Sequence, residues 1–484
     1  MADITAAFSN FLYPGTKVVE RTDGYRVVEI PSHSTTYMFG SAEQGNTLDS
    51  TQVTNSTDFT NVFGASPSED SVKLYFDNHR EGILYFIRTP IAPEYLVVVD
   101  ATTASDYTVD INGTQVTYTK DVADTVDDVA SGLITEINAS IVADSVTAVS
   151  SSNSDELRIR SDDPDASLTV SVSAGDLTAS DNTPTNPVAE DYSYAIQNTF
   201  DVDEGWEQGF IIAPEAFQRL TDASDRLAVG NALEQIAAAF DFAALIDCGE
   251  DDDTVSEIQS DGQQYTTSLG HLGYYAPYLL NLSDSKVPPS AAVAAVAGLK
   301  YGTLGYPEPI GGTRHRLKGV KDVVKRFNNQ QQSTLNPLGI NLIRNLRNKG
   351  VVIWGMRTRA DDPNYRFLHT RVIMNVLNGA LREGFDQFPF SSVDGKGILL
   401  HRIEETAASI CRRMWADGAF FGQTEDEAFQ VICNFTNNSD DNMEAGNFLL
   451  EVYAATAPGI EKLLIASVRV PIGQVEAAAN RGAV

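Results

Sequence analysis

"VVIWGMRTRADDPNYRFLHTRVI", residues Val351 to Ile373, reads as a buried strand feeding a helix. Val351, Val352, Ile353 and Trp354 form an apolar run of strand length. Gly355 breaks it, Arg357 and Arg359 follow, and Asp361, Asp362 and Pro363 make a turn. A helical pattern opens near Tyr365. Just upstream, Asn336 and Pro337 look like an N-cap and an N1 proline before "LGINLIRNLRNK", with Gly350 as the stop, so this stretch predicts a helix. Strand, charged turn and helix together could seat an active site or a structural joint.

Working outward, "SVKLYFDNHREGILYFIRTP" predicts a helix, a turn at Glu81-Gly82 and a strand from Ile83 to Arg88. "NALEQIAAAFDFAALID" reads as an Ala-rich buried helix from Leu233 running into a strand, and "PPSAAVAAVAGLKYG" as a helix started by a double proline. Helices are expected at 365–384 and 398–417, the second with Leu399, Ile403, Ala407, Ile410 and Met414 in one stripe. "AFQVICNF", "NFLLEVYAA" and "EKLLIASVRV" predict strands.

The chain of 484 residues carries a net charge of −32, a balance unsuited to nucleic acid or an anionic membrane. The charge is uneven. Asp100 to Asp191 holds eighteen Asp/Glu against three Lys/Arg (Lys120, Arg158, Arg160), a net of −15, with neither Trp nor Phe. "YTVDINGTQVTYT" has a type I′ hairpin signal at Asn112-Gly113. "TVDDVASGLITEINA" has helical spacing, and "DSVTAVS", "DELRIRS" and "SLTVSVS" read as short strands. Residues 95–196 are therefore expected to form an inserted acidic β-rich domain, left through the linker "SDNTPTNPVAEDYS". Three scattered cysteines suit a reducing compartment. The start of the chain has no secretory pattern, and no apolar run approaches the roughly eighteen residues of a membrane span.

Little local chemistry is visible. The six histidines (His33, His79, His271, His315, His369, His401) are far apart, and isolated surface or interface positions are expected. No zinc, phosphate-loop, dinucleotide or nucleophile-elbow motif occurs. "DCGEDDD" (Asp247–Asp253) and "SDDPD" (Ser161–Asp165) lack calcium-loop spacing and read as solvated turns. The positive signal is electrostatic. Arg314, Arg316, Lys318, Lys321, Lys325, Arg326, Arg344, Arg347 and Lys349 face one acid, Asp322, a local net of +8. In "KGVKDVVKRF", Val320, Val323, Val324 and Phe327 have helical spacing, which would put Lys318, Lys321 and Lys325 on the opposite face. Such a face suits an acidic partner.

The motifs, in order, resemble those of the contractile tail sheath proteins of bacteriophages and related injection devices. The central match is Leu335–Leu377, through Leu335, Asn336, Gly339, Ile340, Asn341, Trp354, Gly355, Arg357, Thr358 and Arg371; the family's paired arginine is His-Thr-Arg here. Arg412–Asn438 resembles a second family segment through Trp415, Gly418, Ala419, Gly422, Ala428, Phe429, Val431 and Cys433. "YPGTKVVE", "YMFGSAEQG", "YYAPYLL" and "VPPSAAVAAVAG" resemble earlier elements. The resemblance covers 11–90 and 205–472 and omits the acidic insert.

The resemblance implies an α+β and α/β multidomain chain. Residues 1–30 would be an arm with a strand for exchange. Residues 31–94 and 197–304 would form a middle sheath domain, 95–196 an outer domain, and 305–484 the inner domain completed by both chain ends. It implies a structural subunit of the virion, assembled in the host cytoplasm, and no enzyme, cofactor or metal. Its partners would be itself in a helical array, the tail tube, the baseplate and the tail terminator, with no nucleic acid and no membrane insertion. Contraction would drive the tube through a host envelope. The tube-facing candidates are Arg314, Arg316, Lys318, Lys321, Lys325, Arg326, Arg344 and Arg347. The exchange candidates are Lys17, Val18, Val19, Glu20, Leu464, Ala466, Val468 and Val470. Asn336, Asn341, Trp354, Gly355, Arg357, Thr358, Trp415, Gly418 and Gly422 would be framework, with Trp354 a core anchor. The alternative is a host-surface binder using the insert on a sheath-like stalk.

Overall fold

Thr35–Gly40, TTYMFG, is buried along its whole length, as are Gly209–Ile212, Ala243–Asp247 and Leu272–Ala276. Runs buried on both faces belong inside a parallel sheet covered by helices. The computed structural model describes residues 30–465 apart from 152, 174 and 202–204, and there these runs form the centre of an eight-stranded sheet. Its order is Gly350–Ile353, Ile340–Leu346, Leu272–Ala276, Ala243–Asp247, Gly209–Ile212, Thr35–Gly40, Leu84–Arg88, Ser50–Val53. The six inner strands are parallel, and the strand at each edge is antiparallel to its neighbour.

Alternation along each strand divides the core in two. Met38, Phe210, Ile212, Leu245, Tyr275 and Ile343 face one layer of helices, Ser56–Phe63, Glu69–Asn78, Ser290–Leu304 and Leu368–Phe385. Tyr37, Phe39, Ile211, Ile246, Tyr274 and Leu342 face the other, built from Ala189–Thr199, Pro214–Arg219, Ala223–Phe240 and Val255–Gln263.

The opening stretch takes the expected order, with the strand Gly350–Ile353, a turn, and the helix Leu368–Phe385. Just upstream the expectation fails. "LGINLIRNLRNK" is no helix: Ile340–Leu346 is a strand that pairs with Leu272–Ala276 and turns back as a hairpin onto Gly350–Ile353. Asn336 and Pro337 open only a 3-10 turn, ended by Gly339 at φ +74. Asn348 and Gly350 supply the positive φ values of the hairpin. Ile340 and Leu342 must face one core and Ile343 the other, which a strand allows and a one-faced helix does not. "KGVKDVVKRF" is not a helix either. Val320–Val323 is a strand against Leu279–Asn281, and Phe327 then enters the second core. The Ala-rich helix begins at Ala223, ten residues before Leu233.

Residues 94–181 build two further antiparallel sheets and the helix Val126–Ala139 around a core of their own, from Val97, Tyr107, Val109, Leu133, Leu157 and Ile159 among others. The hairpin turns at Asn112 and Gly113, both at positive φ. The unit ends earlier than 196, because Ala189–Thr199, half of which was read as linker, is a helix packed in the main body. The joint is ionic. Arg160 binds the buried Asp191 of that helix and lies 3.4 Å from Glu94 at the start of the unit. A break at 304/305 would cut one sheet and one core, since strands and buried residues from both sides share them.

One buried carboxylate makes this fold pH-sensitive. Asp247 is fully buried and accepts hydrogen bonds from Ser290 N at 2.7 Å and Ser290 Oγ at 2.5 Å, fixing the start of the helix Ser290–Leu304. Burial pushes its pKa up to about 7 from 3.8. The folded state therefore holds a proton that the unfolded chain has released, and this group's contribution to stability falls as pH rises from about 4 to 7. Asp247→Asn should remove that slope. In urea denaturation the variant should be more stable than wild type at pH 8, and its difference between pH 5 and pH 8 should be smaller.

Candidate functional site

In a doubly wound sheet, ligands bind beyond the carboxyl ends of the strands, where successive connections leave to opposite faces. Here that crevice lies after Thr35–Gly40 and Gly209–Ile212. The chain fills it itself. Glu215, 1% exposed, accepts from Ser41 N at 2.8 Å, Ser68 Oγ at 2.6 Å and Tyr192 Oη at 3.0 Å, and also from Ser41 Oγ. A carboxylate thus occupies the position that an anionic ligand would take.

The histidines do not form a site. His33, His271 and His369 are buried rather than at the surface. Burial, then the Arg371 charge, lowers His33 to about 3 and His271 to about 4, so both stay neutral near pH 7. Asp247 is likewise buried rather than part of a solvated turn. Among the described residues no three His, Cys, Asp or Glu are placed to hold a metal, and all three cysteines are free and buried.

The Trp-Gly-x-Arg-Thr turn is a knot of hydrogen bonds. Asn341, fully buried, donates from Nδ2 to Tyr274 O at 3.1 Å and Arg357 O at 2.7 Å, and its Oδ1 accepts from Arg357 N at 2.7 Å. Gly355 is needed for this approach, since a Cβ there would lie 2.7 Å from Asn341 Oδ1. Arg359 Nε reaches Tyr265 O at 3.0 Å, and Arg371, buried, binds Asn375 Oδ1 at 2.8 Å. Trp354 is not the core anchor expected of it. It is 38% exposed, just past the edge strand Gly350–Ile353. Trp415 holds the end of its helix to Gly422 O at 3.1 Å, Gly418 has φ +82, and a Cβ at Gly422 would meet Ala428 N at 2.6 Å.

The basic candidates do not share a helical face. Lys321 pairs with Asp284 at 2.6 Å, Lys325 with Asp253 at 4.0 Å, Arg314 with Glu308 at 2.9 Å, and Arg326 with Asp322. Arg344 is half-buried and reaches Asn329 and Gln332, each at 2.8 Å, with no carboxylate. Arg316, Lys318, Arg347 and Lys349 remain exposed. Arg316 and Gly350 are adjacent, the Arg316 Cδ lying 3.8 Å from where a Gly350 Cβ would be, and Leu317 N bonds Val351 O at 2.8 Å. Arg316, Arg347 and Lys349 thus gather at the 347–350 hairpin turn, while the Lys318 backbone is held by Asn78.

Of the exchange candidates, Lys17, Val18, Val19, Glu20, Ala466, Val468 and Val470 lie outside the described residues. Leu464 is 94% exposed and in no strand. Phe429–Ile432 and Glu451–Ala454 form a separate two-stranded antiparallel sheet beside the helix Ile398–Ala416. Between that helix and the strand Phe429–Ile432 runs an open groove of about 360 Å³, rimmed by Glu405, Arg412 and Glu425.

No family model and no curated protein matches the chain. Solved structures do. A chain of the sheath complex of an extracellular contractile injection system, PVC, in its contracted state, aligns at TM-score 0.59 and 16% identity, over 96% of this chain and 99% of that one. The anti-feeding prophage (AFP) helical sheath in its contracted state aligns at TM-score 0.55 and 20% identity, over 94% and 99%. A chain of the six-fold symmetrised AFP baseplate aligns at 0.55 and 18%, over 95% and 99%. This chain therefore has the fold of contractile sheath proteins. No helix among the described residues is long and apolar enough to cross a membrane.

Asn341→Ala would leave Tyr274 O, Arg357 O and Arg357 N without their partner in a dry site. Each such loss costs about 1–3 kcal/mol. The variant should lose roughly 3 kcal/mol or more in chemical denaturation, whereas Trp354→Ala should lose less than a core tryptophan would, since more than a third of the residue is already in water.

Proposed function

We propose that the chain is a structural subunit of a contractile sheath. It would polymerise as a helical array around an inner tube and shorten to drive that tube through a cell envelope. The observation that carries this reading is the end-to-end likeness to contracted sheath chains. The switch-point crevice closed by Glu215 supports a structural over a catalytic role.

Open helical arrays need contacts that do not close on themselves. The isolated two-stranded sheet supplies one half of such a contact. Two strands alone are marginal, and their outer edges present unpaired backbone groups. An extended segment from a neighbour can add there by main-chain bonding. The other half is the C-terminal arm, whose residues Leu463, Leu464 and Ile465 are exposed where the described chain ends. Strand links of this kind survive rigid-body shifts, so neighbours stay tied while other contacts repack. The 94–181 unit, acidic and with its own core, suits an outer position. A role in binding a host surface is the alternative reading for that unit.

The exposed Arg316, Lys318, Arg347 and Lys349 are the cations available to an acidic tube, since their neighbours are paired within the subunit. Each exposed pair contributes about 0–1 kcal/mol, but the contacts repeat along an array and weaken with salt. Purified protein viewed by negative-stain electron microscopy should form tubular polymers; discrete particles under all conditions would oppose the reading. Reversing the four cations to glutamate should leave the melting temperature within a few degrees of wild type. It should abolish co-sedimentation with inner tube at low salt while still permitting empty polymers. Normal co-sedimentation would move these cations to another interface.

A further inference from the structure

The chain passes from body to arm between Gly459 and Ile465. Ile460, Leu463, Leu464 and Ile465 are 81%, 76%, 94% and 78% exposed, so burial of apolar surface does not hold this stretch in the subunit. One polar side chain does. Glu461 accepts from Arg357 Nε at 2.7 Å and Nη2 at 2.6 Å, and from Asn336 Nδ2 at 3.0 Å. Arg357 Nη1 donates to Asn336 O at 3.1 Å and closes the triangle. The paired side chains are 10% and 20% exposed. A bidentate guanidinium–carboxylate pair largely out of water is the strong form of this contact. Arg357 is itself immobile, because Asn341 holds its backbone N and O.

Upstream the chain is also fixed. Ala457 N bonds Ala419 O at 2.8 Å, and His369 Nε2 lies 3.2 Å from Ala457 O. Gly459 fits where a Cβ would come within 2.7 Å of His369. Downstream, Lys462 to Ile465 are all exposed. Glu461 is therefore the last seated residue before the arm.

We infer that Arg357, Asn336 and Glu461 form a clamp that sets the root and direction of the C-terminal arm, so that the arm reaches a second copy of this chain from a fixed point on the eight-stranded sheet. This deepens the proposed strand exchange and rests on it. The three residues position the arm and touch no partner themselves. The clamp accounts for the inward-facing arginine in the turn after Trp354 and for the acid at Glu461.

The test uses the full chain and trypsin, which cuts after Lys462, directly beyond the clamp. In Glu461→Ala the chain ending at Lys462, identified by mass, should appear about tenfold faster than in wild type, the factor that corresponds to roughly 1.4 kcal/mol of holding energy. Glu461→Gln, which keeps the acceptor oxygen but loses the charge, should fall between the two. Tubes should shorten in the same order, while circular dichroism melts stay cooperative. If Glu461→Ala destabilises the subunit, Glu461→Gln carries the comparison at a temperature below both melts. Unchanged cleavage would overturn the clamp. Faster cleavage with tubes of normal length would overturn its positioning role. A chain cut after Glu461 that still forms normal tubes would instead remove the exchange reading on which the inference rests.

Discussion

A single buried amide ties two strands of the large sheet to the turn beyond its edge. Asn341 sits on the strand Ile340–Leu346, reaches across to Tyr274 on the neighbouring strand, and takes both backbone groups of Arg357 after the sheet edge. Tyr274 comes from the central half of the chain and Arg357 from the last third. Buried polar groups are costly unless every donor and acceptor is matched, and here they are. The hydrogen bonds fix where the hairpin ends, force Gly355 into close approach and aim the Arg357 side chain inward toward Glu461. The turn that could have seated an active site instead joins the large sheet to the end of the chain.

The same economy appears elsewhere. Buried charges are given partners within the subunit, as with Arg226 and Asp261 at 2.7 Å, Arg160 and Asp191, and Glu215 with its hydroxyl and amide donors. Lys300, buried, donates to the carbonyls of Pro309, Ile310 and Gly311 and is pushed down to about 8 by burial. Among the groups left exposed are cations beside a hairpin turn and apolar residues where the chain leaves the body. On the proposed reading these suit a device that must hold and then release. Screened charge contacts are individually weak and breakable, whereas main-chain strand links persist through rearrangement.

Much of this was legible in the sequence. Period-two and continuous apolar runs marked the strands from Leu84 to Arg88 and Ala243 to Asp247, and the Asn112-Gly113 signal located the insert's hairpin. The ordered motifs anticipated the fold that the solved structures share. The errors have a common cause. "INLIRNL" and "VKDVVKRF" place apolar residues at spacings that fit a helix, yet each divides them between two cores on opposite sides of a sheet, which only tertiary context decides. The expected cationic helical face fails for the same reason: in the strand-and-loop conformation Lys321, Lys325 and Arg326 pair with acids of the subunit. The roles of Glu215, Asp247 and Glu461 were not legible, since each takes its hydrogen bonds from more than twenty residues away.

The central claim is that subunits are tied by chain ends added to a neighbour's two-stranded sheet. Helical reconstruction of assembled polymers by cryo-electron microscopy tests it most directly. The account predicts continuous density from Glu461 across a subunit boundary, pairing along an edge of the sheet formed by Phe429–Ile432 and Glu451–Ala454 in the next copy. Density that folds the segment after Glu461 back onto its own subunit, with that sheet still two-stranded in the array, would contradict it.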